Sequence, residues 1–367
     1  MKHYIGCDAH KKYSVFAAVD EGGHVTFAKK VEHDRKIFRS FLETLPPASP
    51  IAIESTGNWY WLVDEMEKAG HKPSLVHAAK AKLMMGQINK TDKLDAQGLA
   101  TLARNGTLPV VWIPPGELRD QRELPRMRMV LVSMRTKLKN RIHATLAKYG
   151  IMVDGEVSDL FGGRGRRLLE KVLSQLPSET THSVQEQLQL LDQIEQSITQ
   201  AEKRIHKVIK EDHTMQLLCT IPGVGPILAI VIALEVGDVN RFSRAEKLAS
   251  YAGKVPRVNS TGGKTYYGKV RPDVNRYLKW AFTEAANVIV LQQHRMPDCH
   301  VLHLYWRVRK HKGHAKAITA VGRHLAEATY WMLKNDVPYQ EPRAKQPVSS
   351  TPGQARRSHE FKEEFVH

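Results

Sequence analysis

The chain has 367 residues, a formal net charge of +17 and 42% hydrophobic residues. This length suits two or three domains, and the apolar content is sufficient for hydrophobic cores, which excludes a disordered basic tail protein. No apolar run approaches the roughly 20 residues of a membrane-spanning helix. The cysteines are few and widely spaced, which excludes a disulfide framework and favours a reducing cytoplasm. The charge predicts a polyanionic partner.

Residues 1–115 carry the pattern of a mixed α/β domain. Three short strands come first, and Glu-Gly-Gly at 21–23 predicts a tight turn between the second and third. A helix is predicted over 34–44, and strands alternating with helices follow it. This order is typical of an RNase H-like domain. The predicted strands are 4–6, 14–19, 24–28, 51–54 and 73–76, and the later helices are 60–69 and 90–104.

Residues 116–215 carry a mainly helical pattern, and the glycines of 162–165 predict a loop or linker within it. Apolar residues recur every three or four positions from 118 to 149, with arginines and lysines on the other faces. A second series from Leu188 to Val208 forms a heptad-like seam in a long polar helix, which predicts a coiled coil. The seam fits a packed hairpin arm within one chain as well as dimerisation. The basic residues expected to contact nucleic acid here are Arg128, Arg135 and Lys139.

Residues 216–337 are predicted to form a mainly helical third domain. The segment Ile-Pro-Gly-Val-Gly-Pro at 221–226 lies between two apolar helical stretches, which is typical of a helix-hairpin-helix motif. The backbone amides of Gly223 and Gly225 are then expected to meet a DNA phosphate. The prolines and charges of residues 338–367 predict a disordered tail.

Four carboxylates stand out in the first domain. Asp8 and Glu54 each follow a strand-like run, and Asp92 and Asp95 are three residues apart on a predicted helix, so they share a face. If the two strands are neighbours, all four converge. Clustered carboxylates repel one another unless cations bind, and Mg²⁺ prefers such oxygen ligands. The four together predict a site for Mg²⁺ or Mn²⁺ that performs phosphoryl transfer, although each acid alone fits an ordinary surface position.

A second unusual segment joins hydroxyl groups to glycines. Ser260 and Thr261 precede two glycines in what we expect to be a loop, within a stretch rich in basic and aromatic residues. A hydroxyl there would be a nucleophile on phosphorus and form a covalent ester. The composition alone favours a loop that only grips a phosphate. The predicted nucleic-acid contacts around it are Arg257, Gly262, Gly263, Lys264, Lys269, Arg271 and Arg276.

Taken together, these motifs resemble the DEDD transposases of the insertion-sequence-110 family, which includes the Piv-type DNA invertases. In the first half, the resemblance rests on Tyr-Ile-Gly-Cys-Asp8, Glu54-Ser-Thr-Gly-Asn-Trp and Lys-Thr-Asp92-Lys-Leu-Asp95. In the second half, it rests on Ile-Pro-Gly223-Val-Gly225-Pro, Ala-Ser-Tyr-Ala-Gly253 and Ser260-Thr-Gly-Gly-Lys264. The order and spacing of these pieces over residues 1–335 make the resemblance specific.

The resemblance implies a RuvC-like N-terminal domain, a coiled-coil insertion and a C-terminal transposase domain. It assigns the four acids to Mg²⁺ and a serine of the last domain to attack on DNA, with a phosphoserine link and a free 3′-hydroxyl. It also implies a bridge RNA that pairs with donor and target DNA. Protomers of the implied tetramer combine the acidic domain of one with the serine domain of another. We expect Ser260 to be the nucleophile, and Thr261 is the alternative because it directly precedes the glycines.

The leading interpretation is therefore an RNA-guided DNA recombinase of an insertion sequence, acting at the bacterial nucleoid. One alternative is a RuvC-like junction nuclease, which needs the four acids but not Ser260. Another is an RNA-independent DNA invertase. A catalytically inactive nucleic-acid-binding protein is the alternative of a different class, and the complete set of four acids argues against it.

Overall fold

The computed structural model describes residues 3–86, 91–153, 155, 157–210 and 212–341. The chain divides into two compact units, Met1–Pro115 and Gly116–His367. Among the described residues, no helix combines the length and the apolar character needed to cross a membrane. The first unit is a mixed α/β structure, and the second is mainly helical.

The first unit is built on a five-stranded sheet with the order β3-β2-β1-β4-β5. The first three strands form an antiparallel meander, and β4 and β5 then extend the other side of β1 in parallel. The predicted strands are confirmed, and the turn at 21–23 closes with the Gly23 amide donating to the Asp20 carbonyl at 3.1 Å. The strands are β1 Tyr4–Ala9, β2 Tyr13–Val19, β3 Val25–Glu32, β4 Pro50–Glu54 and β5 Lys72–Val76.

Helices cover both faces of this sheet. Ile5, Ile51 and Ile53 pack with buried residues of the first two helices, whereas Ala52 packs with Leu99 of the fourth. The alternation follows from strand geometry, because successive side chains point to opposite faces. The third helix was not predicted from the sequence. The helices are α1 Arg35–Glu43, α2 Trp59–Lys68, α3 Ala78–Met85 and α4 Asp92–Arg104.

Gly6 lets α4 lie directly on β1. A Cβ atom at this position would be 2.0 Å from the carbonyl oxygen of Ala96 and 2.7 Å from the amide of Ala100. Only a residue without a side chain permits so close an approach of two backbones. The start of α4 is thereby held next to the end of β1.

The second unit contains nine α-helices, two short 3₁₀ helices (Val239–Arg241 and Gln293–Arg295) and one hairpin among its described residues. The helices are α5 Gly116–Lys148, α6 Gly163–Leu173, α7 Ser178–Val208, α8 His213–Cys219, α9 Pro226–Val236, α10 Ala245–Tyr251, α11 Arg276–Leu291, α12 His300–Lys312 and α13 His314–Asn335. The strands of the hairpin are β6 Pro256–Thr261 and β7 Lys264–Val270. Helices α8 to α13 share one large hydrophobic core, centred on side chains such as Leu248, Phe282 and Val321.

The long helices α5 and α7 pack against each other. Their ion pairs join Arg128 to Glu202 and Lys139 to Glu195, so the two helices run antiparallel. The heptad-like seam of α7, including Leu191 and Ile198, is buried within the chain itself. This burial favours a packed hairpin arm over the dimeric coiled coil.

The first residues of the predicted tail contact the second unit. The Tyr339 amide donates to Oγ1 of Thr220 at 2.8 Å. The Glu341 carboxylate accepts from Sγ of Cys299 at 3.0 Å and from the His300 amide at 2.9 Å, at the start of α12. Residues 342–367 lie outside the described part of the chain, so the prediction of a disordered tail falls mainly on residues that the structure does not describe.

Candidate active site

Asp8 and Glu54 lie side by side at the carboxyl ends of neighbouring parallel strands. The register pairs Cys7 of β1 with Ile53 of β4, which places the next residue of each strand together. Asp8 is two residues beyond Gly6 and faces α4, because side chains of a strand alternate. Its side chain is almost completely buried, with 5% of the residue exposed. The neighbouring-strand condition set by the sequence argument is therefore met.

The start of α4 brings the other two acids to the same edge. Thr91 caps the helix by accepting from the Leu94 amide at 3.2 Å, so Asp92 and Asp95 occupy its first turn. The Tyr13 hydroxyl donates to Oδ2 of Asp92 at 2.9 Å and orients that carboxylate.

The environment of Asp8 disfavours its ionised form. Burial raises the pKa of Asp8 above its ordinary value, and the charges of Asp95 and Asp92 raise it further. His10 acts in the opposite direction and lowers that pKa. Asp92 has a ligand atom within 4.8 Å of one of Asp8, and Asp95 lies in the same first turn of α4. A bound cation would relieve this repulsion.

His10 joins the acids, although the sequence argument assigned it no role. Its Nε2 atom lies 3.1 Å from Oδ2 of Asp8 and 3.2 Å from Oδ2 of Asp92. The ring also contacts that of Tyr13, with 4.7 Å between the centroids. The spacing Asp8-Ala-His10 was a usable signal, because His10 directly follows β1 and residues two apart in an extended segment share a face.

Asn58 holds the backbone that carries His10. Its Nδ2 donates to the His10 carbonyl at 2.7 Å, and its Oδ1 accepts from the Thr56 hydroxyl at 2.9 Å. The segment Glu54-Ser-Thr-Gly-Asn58 therefore contributes one acid to this edge and one side chain that fixes the backbone of His10. The sequence pattern contained this asparagine, but its partner is 48 residues away along the chain.

The donor atoms at this edge fit a divalent cation. One ligand atom from each of Asp8, His10 and Asp92 lies within 4.8 Å of the other two. Oδ2 of Asp8 and Nε2 of His10 are buried and find no hydrogen-bond partner among the described residues. Buried polar atoms are normally satisfied, so these two are available to a ligand. Carboxylate oxygens with a nearby imidazole suit such an ion chemically.

In the second unit, the predicted hydroxyl–glycine loop is instead a β-hairpin. Gly262 and Gly263 form its two-residue turn with φ values of 55° and 74°, as a type I′ turn requires. Ser260 pairs with Thr265, and Thr261 pairs with Lys264. The alternation along β6 therefore places the two candidate nucleophiles on opposite faces of the hairpin. Ser260 shares its face with Tyr267, and both candidates are exposed.

The basic residues around this hairpin fall into two groups. Arg257, Lys264 and Lys269 lie on the strands and are exposed. Arg271 forms an ion pair with Asp273, its Nε donating to Oδ1 at 2.9 Å. Arg276, at the start of α11, donates to the hydroxyl of its neighbour Tyr277 at 3.0 Å. The strand residues are therefore the better placed for phosphate contact.

The two glycines between α8 and α9 differ in their surroundings. A Cβ atom on Gly223 would be 2.3 Å from the Ala285 carbonyl oxygen of α11, and its φ is +76°. Gly225 is exposed and precedes α9, and a Cβ atom added to it would have no neighbour within 4 Å among the described residues. Gly223 thus has a packing role that the sequence did not indicate, and Gly225 is the more accessible of the two.

The three basic residues predicted on the helical arm are engaged within the chain. Arg128 donates from Nε to Oε1 of Glu202 at 2.7 Å. Arg135 and Lys139 approach Oε1 of Glu195 at 4.0 Å and 3.5 Å. These contacts brace α5 against α7, and nucleic-acid contact by the same residues stays a prediction.

Two family models match the chain. A model for the DEDD type of IS110, described as "Transposase", matches residues 5–151, and the model "Transposase IS116/IS110/IS902 family" matches residues 215–301. The chain is 27% identical over 294 residues to a "Probable family 20 transposase" of Pseudomonas aeruginosa, covering 78% of this chain and 83% of that protein.

Two further relatives extend the comparison. A transposase for the insertion sequence element IS1328 of Yersinia enterocolitica is 26% identical over 292 residues, covering 77% of this chain and 83% of that protein. A pilin gene-inverting protein of Moraxella bovis is 27% identical over 220 residues, covering 58% of this chain and 58% of that protein. The first matched region includes every residue of the acidic edge, and the second includes the hairpin.

Proposed function

The chain belongs to the insertion-sequence transposase family of IS110, IS116 and IS902, and we propose that it recombines DNA through a covalent link between Ser260 and the cleaved strand. The transposase family acts on DNA, and its DEDD domain implies dependence on a divalent metal. We further propose that Asp8, Glu54, Asp92 and Asp95 hold Mg²⁺ or Mn²⁺ on a RuvC-like domain.

The observation that carries the proposal is the acidic edge of the first unit. A nearly buried carboxylate, Asp8, lies beside other acids of the edge, and its Oδ2 is 3.1 Å from Nε2 of His10 without a hydrogen bond of regular geometry. Such an arrangement costs free energy unless it serves a ligand. A divalent cation held there would supply Lewis acidity for the charge that develops on a phosphate during transfer.

The covalent step uses a hydroxyl of the exposed hairpin. The Ser260 oxygen attacks a DNA phosphorus, a bond forms between them, and the bond to the 3′ oxygen breaks. The hydroxyl proton is released, and the departing oxygen takes up a proton as a 3′-hydroxyl. The phosphoserine ester retains the energy of the broken phosphodiester, so that the 3′-hydroxyl of another strand can reverse the reaction and join the two. Thr261, on the opposite face, is the alternative nucleophile.

The charge of the second unit supports binding of polyanions. Arg257, Lys264 and Lys269 project from the hairpin, and Tyr266 and Tyr267 are exposed between them. Cations with interleaved aromatic rings suit a nucleic-acid backbone and its bases. We propose that donor DNA, target DNA and a structured bridge RNA are the partners, and that the protomers act as a homo-oligomer, dimer to tetramer.

A DNA invertase that needs no RNA is the second candidate function. Its support is the relative named as a pilin gene-inverting protein, whose match covers 58% of this chain. Both candidates share the acids and the hydroxyl nucleophile, and they differ only in the guide. A metal-dependent junction nuclease would need the acids without a covalent intermediate.

The test incubates the purified full chain with donor DNA, target DNA and RNA transcribed from the flanks of the element. We expect a protein–DNA adduct that resists denaturation and is lost in Ser260→Ala. The matched variant Thr261→Ala should retain the adduct, and Asp8→Asn should abolish cleavage.

Each component of the proposal has its own contrary outcome. An adduct that persists in Ser260→Ala but disappears in Thr261→Ala moves the nucleophile to the other face of the hairpin. Cleavage without any adduct supports the junction nuclease. Full recombination without RNA supports the invertase, and activity unaffected by Asp8→Asn refutes the metal site.

A further inference from the structure

We propose that His10 is a nitrogen ligand of the metal site on the acidic edge and that it shifts the preference of this site from Mg²⁺ towards Mn²⁺. The inference rests on the proposed metal site and adds a ligand outside the four acids. It concerns the identity of the ion and can be measured on the protein without DNA.

The distances around His10 are those of a shared coordination sphere. Its Nε2 atom is 3.1 Å from Oδ2 of Asp8 and 3.2 Å from Oδ2 of Asp92. In an octahedral site with bonds of about 2.1 Å, neighbouring ligand atoms lie about 3 Å apart. Nε2 of His10 therefore has the spacing of an adjacent ligand to each carboxylate oxygen, and ligand atoms of the three residues all lie within 4.8 Å of one another.

The contact between His10 and Asp8 is as close as an ion pair, but its geometry is not that of a regular hydrogen bond. Despite these distances, Nε2 of His10 and Oδ2 of Asp8 are both buried and lack a hydrogen bond of acceptable geometry within the described chain. Asp8 is 5% exposed and is thus an unsatisfied group directed into the cluster. In contrast, His24 and Asp20 form a simple pair at the surface, 3.5 Å apart, with 85% of the His24 side chain exposed.

The surrounding groups hold His10 in this position. Asn58 fixes the backbone carbonyl of His10, and the Tyr13 ring contacts the imidazole. The Tyr13 hydroxyl also donates to Asp92, so one residue orients two members of the cluster. Outer groups that orient metal ligands in this way are a regular feature of metal sites.

An imidazole changes which ion such a site prefers. Mg²⁺ is a hard ion that takes oxygen ligands and loses its water reluctantly. Imidazole nitrogen binds first-row transition metals better, whereas carboxylates accept Mn²⁺ and Mg²⁺ alike. A set with carboxylates and one imidazole should therefore bind Mn²⁺ more tightly than the four acids would by themselves.

The experiment uses the full chain, loaded with Mn²⁺ and free of nucleic acid. Electron spin echo spectroscopy of the bound Mn²⁺ should show hyperfine coupling to a ligand nitrogen. His10→Gln should remove this coupling and weaken Mn²⁺ binding at least about 10-fold, with a change below about threefold for Mg²⁺. His24→Gln, the matched control in a surface pair, should change neither quantity.

The outcomes separate this inference from the metal site itself. Absence of nitrogen coupling in the unaltered protein overturns the inference, and this measurement requires no variant to fold. Coupling that persists in His10→Gln overturns it as well. Mn²⁺ binding that survives Asp8→Asn refutes the metal site and, with it, the role of His10. Loss of binding in Asp8→Asn, together with an unaltered spectrum in His10→Gln, leaves the proposed function standing and refutes only the added ligand.

Discussion

Replacing Gly6 by alanine should separate the helix that carries Asp92 and Asp95 from the strand that carries Asp8. The new Cβ atom would be 2.0 Å from the Ala96 carbonyl oxygen, whereas ordinary contacts begin near 3.4 Å. The helix must therefore retreat by about 1.4 Å, the difference between these two distances. The obstacle is backbone on both sides, so no side chain can rotate away to relieve it.

The displacement should affect stability and metal binding together. Overpacking of this kind costs about 3 kcal/mol, which lowers the melting temperature of a unit of this size by about 10 °C. A shift of about 1.4 Å also exceeds the roughly 0.5 Å tolerance of a preorganised site. We expect the affinity for Mn²⁺ to fall at least about 10-fold.

Calorimetric unfolding and Mn²⁺ titration of the same preparations provide the assay. Gly57→Ala is the matched control, because it lies in the segment after Glu54 and has no described atom within 4 Å of an added Cβ. It should leave both measurements close to those of the unaltered chain. A Gly6→Ala protein with unaltered melting temperature and metal affinity would refute the argument that close packing of α4 builds the acidic edge.

Three further changes test other parts of the structure. Gly223→Ala should destabilise the second unit by about 3 kcal/mol in a denaturant titration, because its Cβ would meet a helix backbone at 2.3 Å, whereas Gly225→Ala should not. Burial lowers the pKa of Lys254 from 10.5 to about 8, so unfolding releases this burial penalty. Between these two pH values the unfolded chain binds more protons than the folded chain, so stability should rise with pH. Lys254→Met should remove that rise. Below pH 8 it should also increase the free energy of unfolding by about 3 kcal/mol, as measured by thermal unfolding. If the two proteins show the same pH profile, the lysine is not the cause. Asn58→Ala should cost about 1 kcal/mol through its lost bond to the His10 carbonyl and weaken Mn²⁺ binding several-fold in the titration; an unchanged affinity would exclude Asn58 as a brace of the site.

The strands and helices of the first unit were largely predictable because their signals are local. A run such as Tyr-Ile-Gly-Cys before Asp8 predicts a strand, and the spacing of Asp92 and Asp95 predicts a shared helix face, without any distant contact. The hairpin was harder to predict from the sequence. Its Gly-Gly turn lies between exposed strands without a buried face, so the alternation of apolar and polar residues that identifies a strand is weak there.

The roles of single residues were likewise predictable where they depend on local sequence, and unpredictable where they depend on distant contacts. The motif around Gly223 predicts an amide donor, but the surroundings of this glycine are set by α11, which lies more than 50 residues further along the chain. The charge of Arg128 predicts a phosphate contact, and its partner Glu202 belongs to a helix that returns after 74 residues. A cation's partner cannot be inferred from its own segment when the opposing charge is brought to it by packing.

The sequence by itself determined the charge of this protein, the strands and most helices of its first unit, the four acids and the family whose motifs they follow. Only the tertiary structure decided that Asp8 and Glu54 end neighbouring parallel strands, that Gly6 admits α4 against β1, and that His10 completes the cluster. The physical reason is that propensity and periodicity act over a few residues, whereas a site is assembled by backbones that approach one another from distant parts of the chain. In this protein the close approach at Gly6 is also what brings the acids of α4 to Asp8.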